Sequence, residues 1–186
     1  MDKAQSLIAA RPPFAKRLEA VNRGIGRVLA WLTLAMVIIT SIVVVQRYWF
    51  ADGSIRLQES ITFMHAAVFM LTAGYTLAAG DHVRVDIFYS SMGPRAKARV
   101  DIAGTLFLLM PFCGFLIWSS WDYVATSWLI EESSQESSGL PYPFPAVLKS
   151  FIPLAAVLLL LQGIVMLLDS FRMLASSPHE PVTDQD

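Results

Sequence analysis

Residues 28–45 read VLAWLTLAMVIITSIVVV, a run of 18 residues without a charged side chain. A helix rises about 1.5 Å per residue, so about 20 apolar residues are needed to cross the roughly 30 Å hydrocarbon core of a bilayer. Three further uncharged runs follow, at residues 60–80, 102–121 and 150–168. Apolar and polar residues do not alternate over short segments, which argues against a β-barrel. The chain is therefore predicted to be an all-α integral membrane protein with four transmembrane helices.

The composition supports the same class. Hydrophobic residues make up 55% of the 186 residues and charged residues 16%, whereas soluble domains contain roughly 25% charged residues. The net charge of −1 gives no general attraction to nucleic acid. The single cysteine, Cys113, lies in the third run and is interpreted as a small packing residue. The first run is too long for a cleaved signal peptide and is expected to remain as a membrane anchor.

Basic residues are distributed unevenly between the two predicted sides of the membrane. Residues 1–27, the connection between the second and third runs, and the tail together carry eleven of the fourteen Lys and Arg residues. The other two connections carry Arg47, Arg56 and Lys149. The positive-inside rule therefore predicts that both termini are cytoplasmic.

The chain is predicted to have three regions. Residues 1–27 form a cytoplasmic basic segment, in which residues 14–27 have the amphipathic pattern of a short helix on the membrane surface. Residues 28–172 form the four-helix membrane domain. Residues 173–186 form a polar tail that is predicted to be disordered.

The membrane runs lack the groups that transport or catalysis usually requires. None of the four contains Asp, Glu, Lys or Arg, although transporters commonly keep ionisable residues near the midplane. His65 is the one candidate for proton chemistry, and no carboxylate lies at helical spacing from it. A packed or hydrogen-bonded histidine is favoured over a proton site. No catalytic residue, metal ligand or cofactor is predicted.

Small residues recur on one face of the second helix. Ala67, Gly74 and Ala78 lie at positions i, i+7 and i+11, a spacing that permits close helix contact within a membrane. Glu59 opens the same helix, where a carboxylate suits the helix N-terminus. The face contacts either the other helices of this chain or a partner protein, and the sequence does not separate these alternatives.

The motifs around this helix resemble a known family. Gln58-Glu59 begins the helix, and the stretch from His82 to Asp86 follows its inner end. Gly139-Leu140-Pro141 precedes the fourth helix, which has Lys149 near its start. Over roughly residues 18–174 the chain resembles the small, DctQ-like membrane subunit of tripartite ATP-independent periplasmic (TRAP) transporters. Many members have two acidic residues where this chain has Gln58-Glu59.

The resemblance implies a supporting role in the bacterial inner membrane. In this family a large membrane subunit holds the sodium and substrate sites, and a periplasmic binding protein delivers a carboxylate or sulfonate. The small subunit packs on the fixed scaffold of the large one, among membrane lipid.

Three groups of residues are predicted to matter in that role. The large subunit is expected to contact Glu59, Ala67, Gly74 and Ala78. The acidic outer loop is expected to touch the binding protein, an inert surface loop being the alternative; its acidic residues are Glu131, Glu132 and Glu136. The inner-loop motif is expected to order its loop through hydrogen bonds and ion pairs; its residues are His82, Arg84 and Asp86.

Two other classes compete with this interpretation. One is a four-helix respiratory anchor associated with haem or quinone. An anchor that binds haem would need axial ligands, usually paired histidines within the membrane, and only His65 lies deep. A self-contained small exporter would transport solute without a second polypeptide.

Overall fold

A computed structural model of the protein describes residues 13–79, 89 and 91–175. Helices connected by turns and short loops make up this described part, and it contains no β-strand. In chain order the elements are α1 (Pro13–Trp49), α2 (Ile55–Leu71), α3 (Ala73–Ala79), α4 (Pro94–Gly104), a π-helical turn (Thr105–Leu109), α5 (Met110–Leu129) and α6 (Phe144–Ala175).

These elements form four segments that are long and apolar enough to cross a membrane. The segments are Ala20–Trp49, Ile55–Ala78, Pro94–Leu129 and Phe144–Ala175. Each coincides with one of the four predicted runs, so the predicted all-helical, four-span fold is confirmed. The basic stretch 14–27 is continuous with the first span, because α1 begins at Pro13. The cytoplasmic placement of the termini stays a prediction.

Local sequence signals explain where the helices begin. Ser54 is extended and caps α2, its hydroxyl accepting a hydrogen bond from the Leu57 amide at 3.4 Å. This satisfies one of the amides that have no partner at a helix N-terminus. Gly93 is also extended and Pro94 begins α4, where the fixed φ of proline suits the first turn. The Gly-Pro pair therefore starts a new helix.

The second and third spans each contain an irregular turn. Thr72 separates α2 from α3, but the Thr72 amide still bonds to Val68 O at 3.2 Å and the Thr76 amide to Thr72 O at 2.8 Å. In the third span a π-helical turn precedes Pro111, and the Met110 amide bonds to Thr105 O. Proline has no amide hydrogen and disturbs the preceding turn. The third span therefore accommodates Pro111 through a widened turn.

Helix α6 forms the centre of the bundle and contacts every other span. Its buried residues include Ala156, Leu158, Gln162, Gly163 and Val165. A Cβ atom at Gly163 would lie 2.7 Å from Leu109 Cδ2, so glycine permits the close approach of α6 to the π-helical turn. By contrast, α1 and α5 expose many large apolar side chains, as expected for helices at the lipid boundary.

Candidate functional site

Glu59 holds the loop that connects α5 to α6 against the start of α2. Its Oε2 accepts a hydrogen bond from the Leu140 amide at 2.6 Å, and its Oε1 accepts one from the Ser134 hydroxyl. A Cβ atom at Gly139 would lie 2.5 Å from Ser134 Cβ and 2.8 Å from Glu59 Oε1, so glycine permits the close approach of the loop to Ser134 and the carboxylate. Glu59 therefore fixes a loop 75 to 81 residues further along the chain.

Glu132 fixes the other side of the same loop. Its Oε2 accepts hydrogen bonds from Lys149 Nζ and from Ser127 Oγ, both at 2.5 Å. The Lys149 ammonium also lies 4.1 Å from the centroid of the Tyr123 ring. Two hydrogen bonds, the larger effect coming from Lys149 and the smaller from Ser127, lower the pKa of Glu132 below its ordinary value of 4.5. Glu132 thus joins the loop to the end of α5 and the start of α6.

A cavity of about 280 Å³ lies between α2 and this loop, and both carboxylates line it. Its walls include apolar side chains such as Phe63 and Phe144, whose rings meet edge to face with centroids 5.8 Å apart. Each carboxylate already accepts two hydrogen bonds from its own chain. Among the described residues no group of three or more His, Cys, Asp or Glu is placed to hold a metal ion. Both carboxylates at the cavity therefore serve to anchor the loop.

The three acidic loop residues predicted to meet the binding protein differ in their surroundings. Glu131 and Glu136 are exposed. Glu132 is partly buried and engaged by Lys149 and Ser127. The structure therefore leaves two carboxylates facing outward on a loop that Glu59 and Glu132 anchor.

The small face of the second span lies inside the bundle. Ala67 is 5% exposed, and a Cβ atom at Gly74 would lie 3.1 Å from both Leu158 Cβ and Asn22 Oδ1. Ala78 is partly buried. Of the two alternatives for this face, packing within the chain accounts for the observed contacts, because α6 already occupies the space beside Gly74. Contact between this face and a large subunit stays a prediction.

The inner-loop motif, His82, Arg84 and Asp86, lies outside the described residues. The elements that flank it are described. Tyr89 donates a hydrogen bond to Asp101 Oδ2 at 2.9 Å, and Lys97 Nζ lies 5.2 Å from the centroid of the Tyr89 ring. The role predicted for the motif stays a prediction.

One buried polar pair was not singled out from the sequence. Asn22 Nδ2 on α1 donates a hydrogen bond to Gln162 Oε1 on α6 at 3.1 Å, and the two residues are 2% and 6% exposed. The sequence signal for this pair is Gln162, an amide side chain in the fourth apolar run, because such a group needs a partner inside the membrane. The pair links the first and last spans.

His65 lies on the exposed side of α2. The other two histidines, His82 and His179, fall outside the described residues. A facing pair of histidines, which a haem anchor requires, is therefore not formed by the part of the chain that the structure describes.

Comparison with known proteins identifies one family. The sequence model described as "Tripartite ATP-independent periplasmic transporters, DctQ component" matches residues 36–173, which is most of the chain and includes spans two and three and all but the last two residues of span four. No curated protein and no solved structure matches the chain. Four apolar spans and this match together show that the chain belongs to the DctQ family, the multi-pass membrane component of tripartite ATP-independent periplasmic transporters.

Proposed function

We propose that this chain is the small permease subunit of a TRAP-type secondary transporter in a bacterial inner membrane. It packs on the scaffold of a large membrane subunit and supports sodium-coupled uptake of an organic acid, a carboxylate or a sulfonate. A periplasmic binding protein delivers that substrate. The chain has no catalytic role of its own. The family membership supports the placement in a transporter of this kind.

The observation that carries the supporting role is the absence of charge from the four apolar runs. An organic anion and a sodium ion need compensating polar or charged groups within the membrane. Here the amide pair Asn22 and Gln162 is mutually bonded. Glu59 accepts hydrogen bonds from the loop between α5 and α6, and Glu132 accepts them from Lys149 and Ser127. The substrate and ion sites are therefore assigned to the large subunit.

Co-purification tests this proposal. The tagged chain is expressed together with a large TRAP membrane subunit from the same genome and isolated in mild detergent. We expect a much larger multi-spanning protein to accompany the chain at a fixed ratio. Recovery of the chain alone, from membranes that contain both polypeptides, would contradict the proposal.

The exposed part of the anchored loop is the proposed contact with the binding protein. Glu131 and Glu136 point outward, and the hydrogen bonds of Glu59 and Glu132 hold the loop in one arrangement before any partner arrives. A pre-ordered surface loses less conformational entropy on binding. Carboxylates at its edge favour a basic patch on the binding protein and a faster encounter at low salt.

Neutralisation of these two carboxylates tests the contact. The double variant Glu131→Gln/Glu136→Gln should bind the binding protein more weakly, with a smaller dependence on salt. Asp52→Asn provides the matched control, because Asp52 is exposed on the other loop at the same end of the bundle. Unchanged affinity and unchanged salt dependence in the double variant would leave the loop as an inert surface.

A further inference from the structure

The side of α2 that faces away from the bundle carries polar residues. Gln58, Thr62, His65 and Phe69 recur every three or four residues, and all four side chains are exposed. On a helix this spacing places them in one row. The row lies opposite Ala67, which is buried in the bundle. We call these four residues the polar stripe.

The polar stripe continues into the apolar run of the span. His65 is five residues after the start of that run at Ser60, which corresponds to about 7.5 Å of helix. That distance is about a quarter of the roughly 30 Å hydrocarbon core. An outward-facing imidazole at this depth would meet lipid chains if nothing else covered it, and polar side chains within membrane spans normally face protein or a water-filled cavity.

Two exposed hydroxyls, Ser41 on α1 and Thr62 within the stripe itself, donate to a carbonyl of their own helix. The Ser41 hydroxyl donates to Val37 O at 2.8 Å, and the Thr62 hydroxyl lies 3.4 Å from Gln58 O. An imidazole or a carboxamide is not satisfied in this way, because it has both donor and acceptor atoms. Within the described residues neither His65 nor the Gln58 side chain has a hydrogen-bond partner. These two groups therefore keep donor and acceptor atoms that no described residue of the chain satisfies.

A positive charge stands at the outer end of the polar stripe. Arg47 and Gln58 line one groove between α1 and α2, together with Val43, Val44 and Tyr48. Arg47 is exposed and forms no ion pair with any residue that the structure describes. The surface that covers this groove is therefore expected to bring a carboxylate to the membrane boundary, opposite Arg47.

We propose that the polar stripe and Arg47 form the surface on which a transmembrane helix of the large subunit docks. That helix supplies hydrogen-bonding groups opposite His65 and Gln58, and an acidic side chain opposite Arg47. Phe69 packs against it further along the stripe. The identity of the partner rests on the proposed function, whereas the location of the surface rests on the exposed polar groups.

Photo-crosslinking in membranes tests the location. Benzoylphenylalanine is incorporated at Phe69, or at Phe115 on α5 as the control, in the full chain expressed with the large subunit. Phe69 is 72% exposed and Phe115 59% exposed, so both probes are accessible. We expect an adduct with the large subunit from position 69 and little from position 115. Adducts from position 69 with lipid only, or with a second copy of this chain, would overturn the proposal.

A substitution experiment tests the chemistry. His65→Leu/Gln58→Leu should reduce co-purification of the large subunit about tenfold, the effect expected for two interhelical hydrogen bonds. The control Ser119→Leu removes an exposed, self-bonded hydroxyl on α5 and should leave recovery unchanged. The thermal stability of the isolated chain in detergent should be unaltered in both variants, because the substituted side chains are exposed.

The outcomes separate the two proposals. In one outcome the unaltered chain recovers the large subunit, while position 69 gives no crosslink to it and the double substitution leaves its recovery unchanged. In that case the docking surface is elsewhere and the proposed function stands. If the unaltered chain recovers no larger membrane protein, the proposed function fails, and the partner assigned to the stripe fails with it.

Discussion

Disrupting the hydrogen bond between Asn22 and Gln162 should destabilise the bundle without affecting its surface. The bond spans 140 positions of sequence, measures 3.1 Å and joins two side chains that are almost fully buried. Interhelical polar contacts in membranes average about 0.6 kcal/mol and reach about 1.7 kcal/mol. Removal of one partner also leaves the other amide unsatisfied, a state that costs about 1–3 kcal/mol in protein interiors.

The expected loss for Gln162→Met or for Asn22→Leu alone is therefore about 1–2 kcal/mol in the free energy of unfolding. The double variant should lose less than the sum of the two, because it leaves no amide without a partner. The expected coupling is about 1 kcal/mol. Unfolding in mixed micelles with increasing dodecyl sulfate provides the measurement, and Ser41→Ala, at an exposed hydroxyl, provides the control. Strict additivity of the two substitutions, within about 0.3 kcal/mol, would refute the reasoning.

Three further perturbations test other parts of the fold. Gly74→Leu should destabilise the bundle by about 1–3 kcal/mol through overpacking, because Leu158 Cβ already lies 3.1 Å from the position that a Cβ atom would take. The control is Gly24→Leu, where no atom lies within 4 Å of that position, and it should change the free energy of unfolding little. Glu59→Gln should speed hydrogen exchange at the Leu140 amide, which donates to this carboxylate at 2.6 Å, and unchanged exchange would show that the loop is held by other contacts. Because the folded-state pKa of Glu132 is lowered, the stabilisation by this carboxylate is present above the ordinary value of 4.5 and is lost as pH falls through the lowered value. The melting temperature should therefore fall less steeply from pH 6 to pH 3 in Glu132→Gln than in the unaltered chain. Equal slopes would contradict the role of the ion pair.

The number and position of the membrane spans follow directly from the sequence. Runs without charge at residues 28–45, 60–80, 102–121 and 150–168 leave few alternatives, since each needs a bilayer or an equivalent apolar environment. Hydrophobicity alone does not determine rotation about the helix axis, because lipid and protein are both apolar surroundings. For this reason the small face that contains Gly74 was predicted with two alternatives, and the contact with Leu158 on α6 required the structure.

The loop contacts illustrate the same limit. Glu59 was noted as a helix-opening carboxylate, but its bonds to Ser134 and to the Leu140 amide join positions 75 and 81 residues away. No periodic pattern links residues at such separations. Glu132 likewise lies in a stretch with the composition of an acidic surface loop. Its ion pair with Lys149 is visible only in the folded structure. Local patterns specify helices, whereas contacts between distant segments depend on how the helices associate.

Reconstitution into liposomes tests the central claim most directly. The purified chain is incorporated alone, or together with the large subunit and the binding protein, and uptake of radiolabelled organic acids is followed under an inward sodium gradient. The proposed supporting role predicts no uptake and no sodium-dependent substrate binding by the chain alone, and uptake by the complete set. Solute movement or sodium binding by this polypeptide without its partners would contradict it.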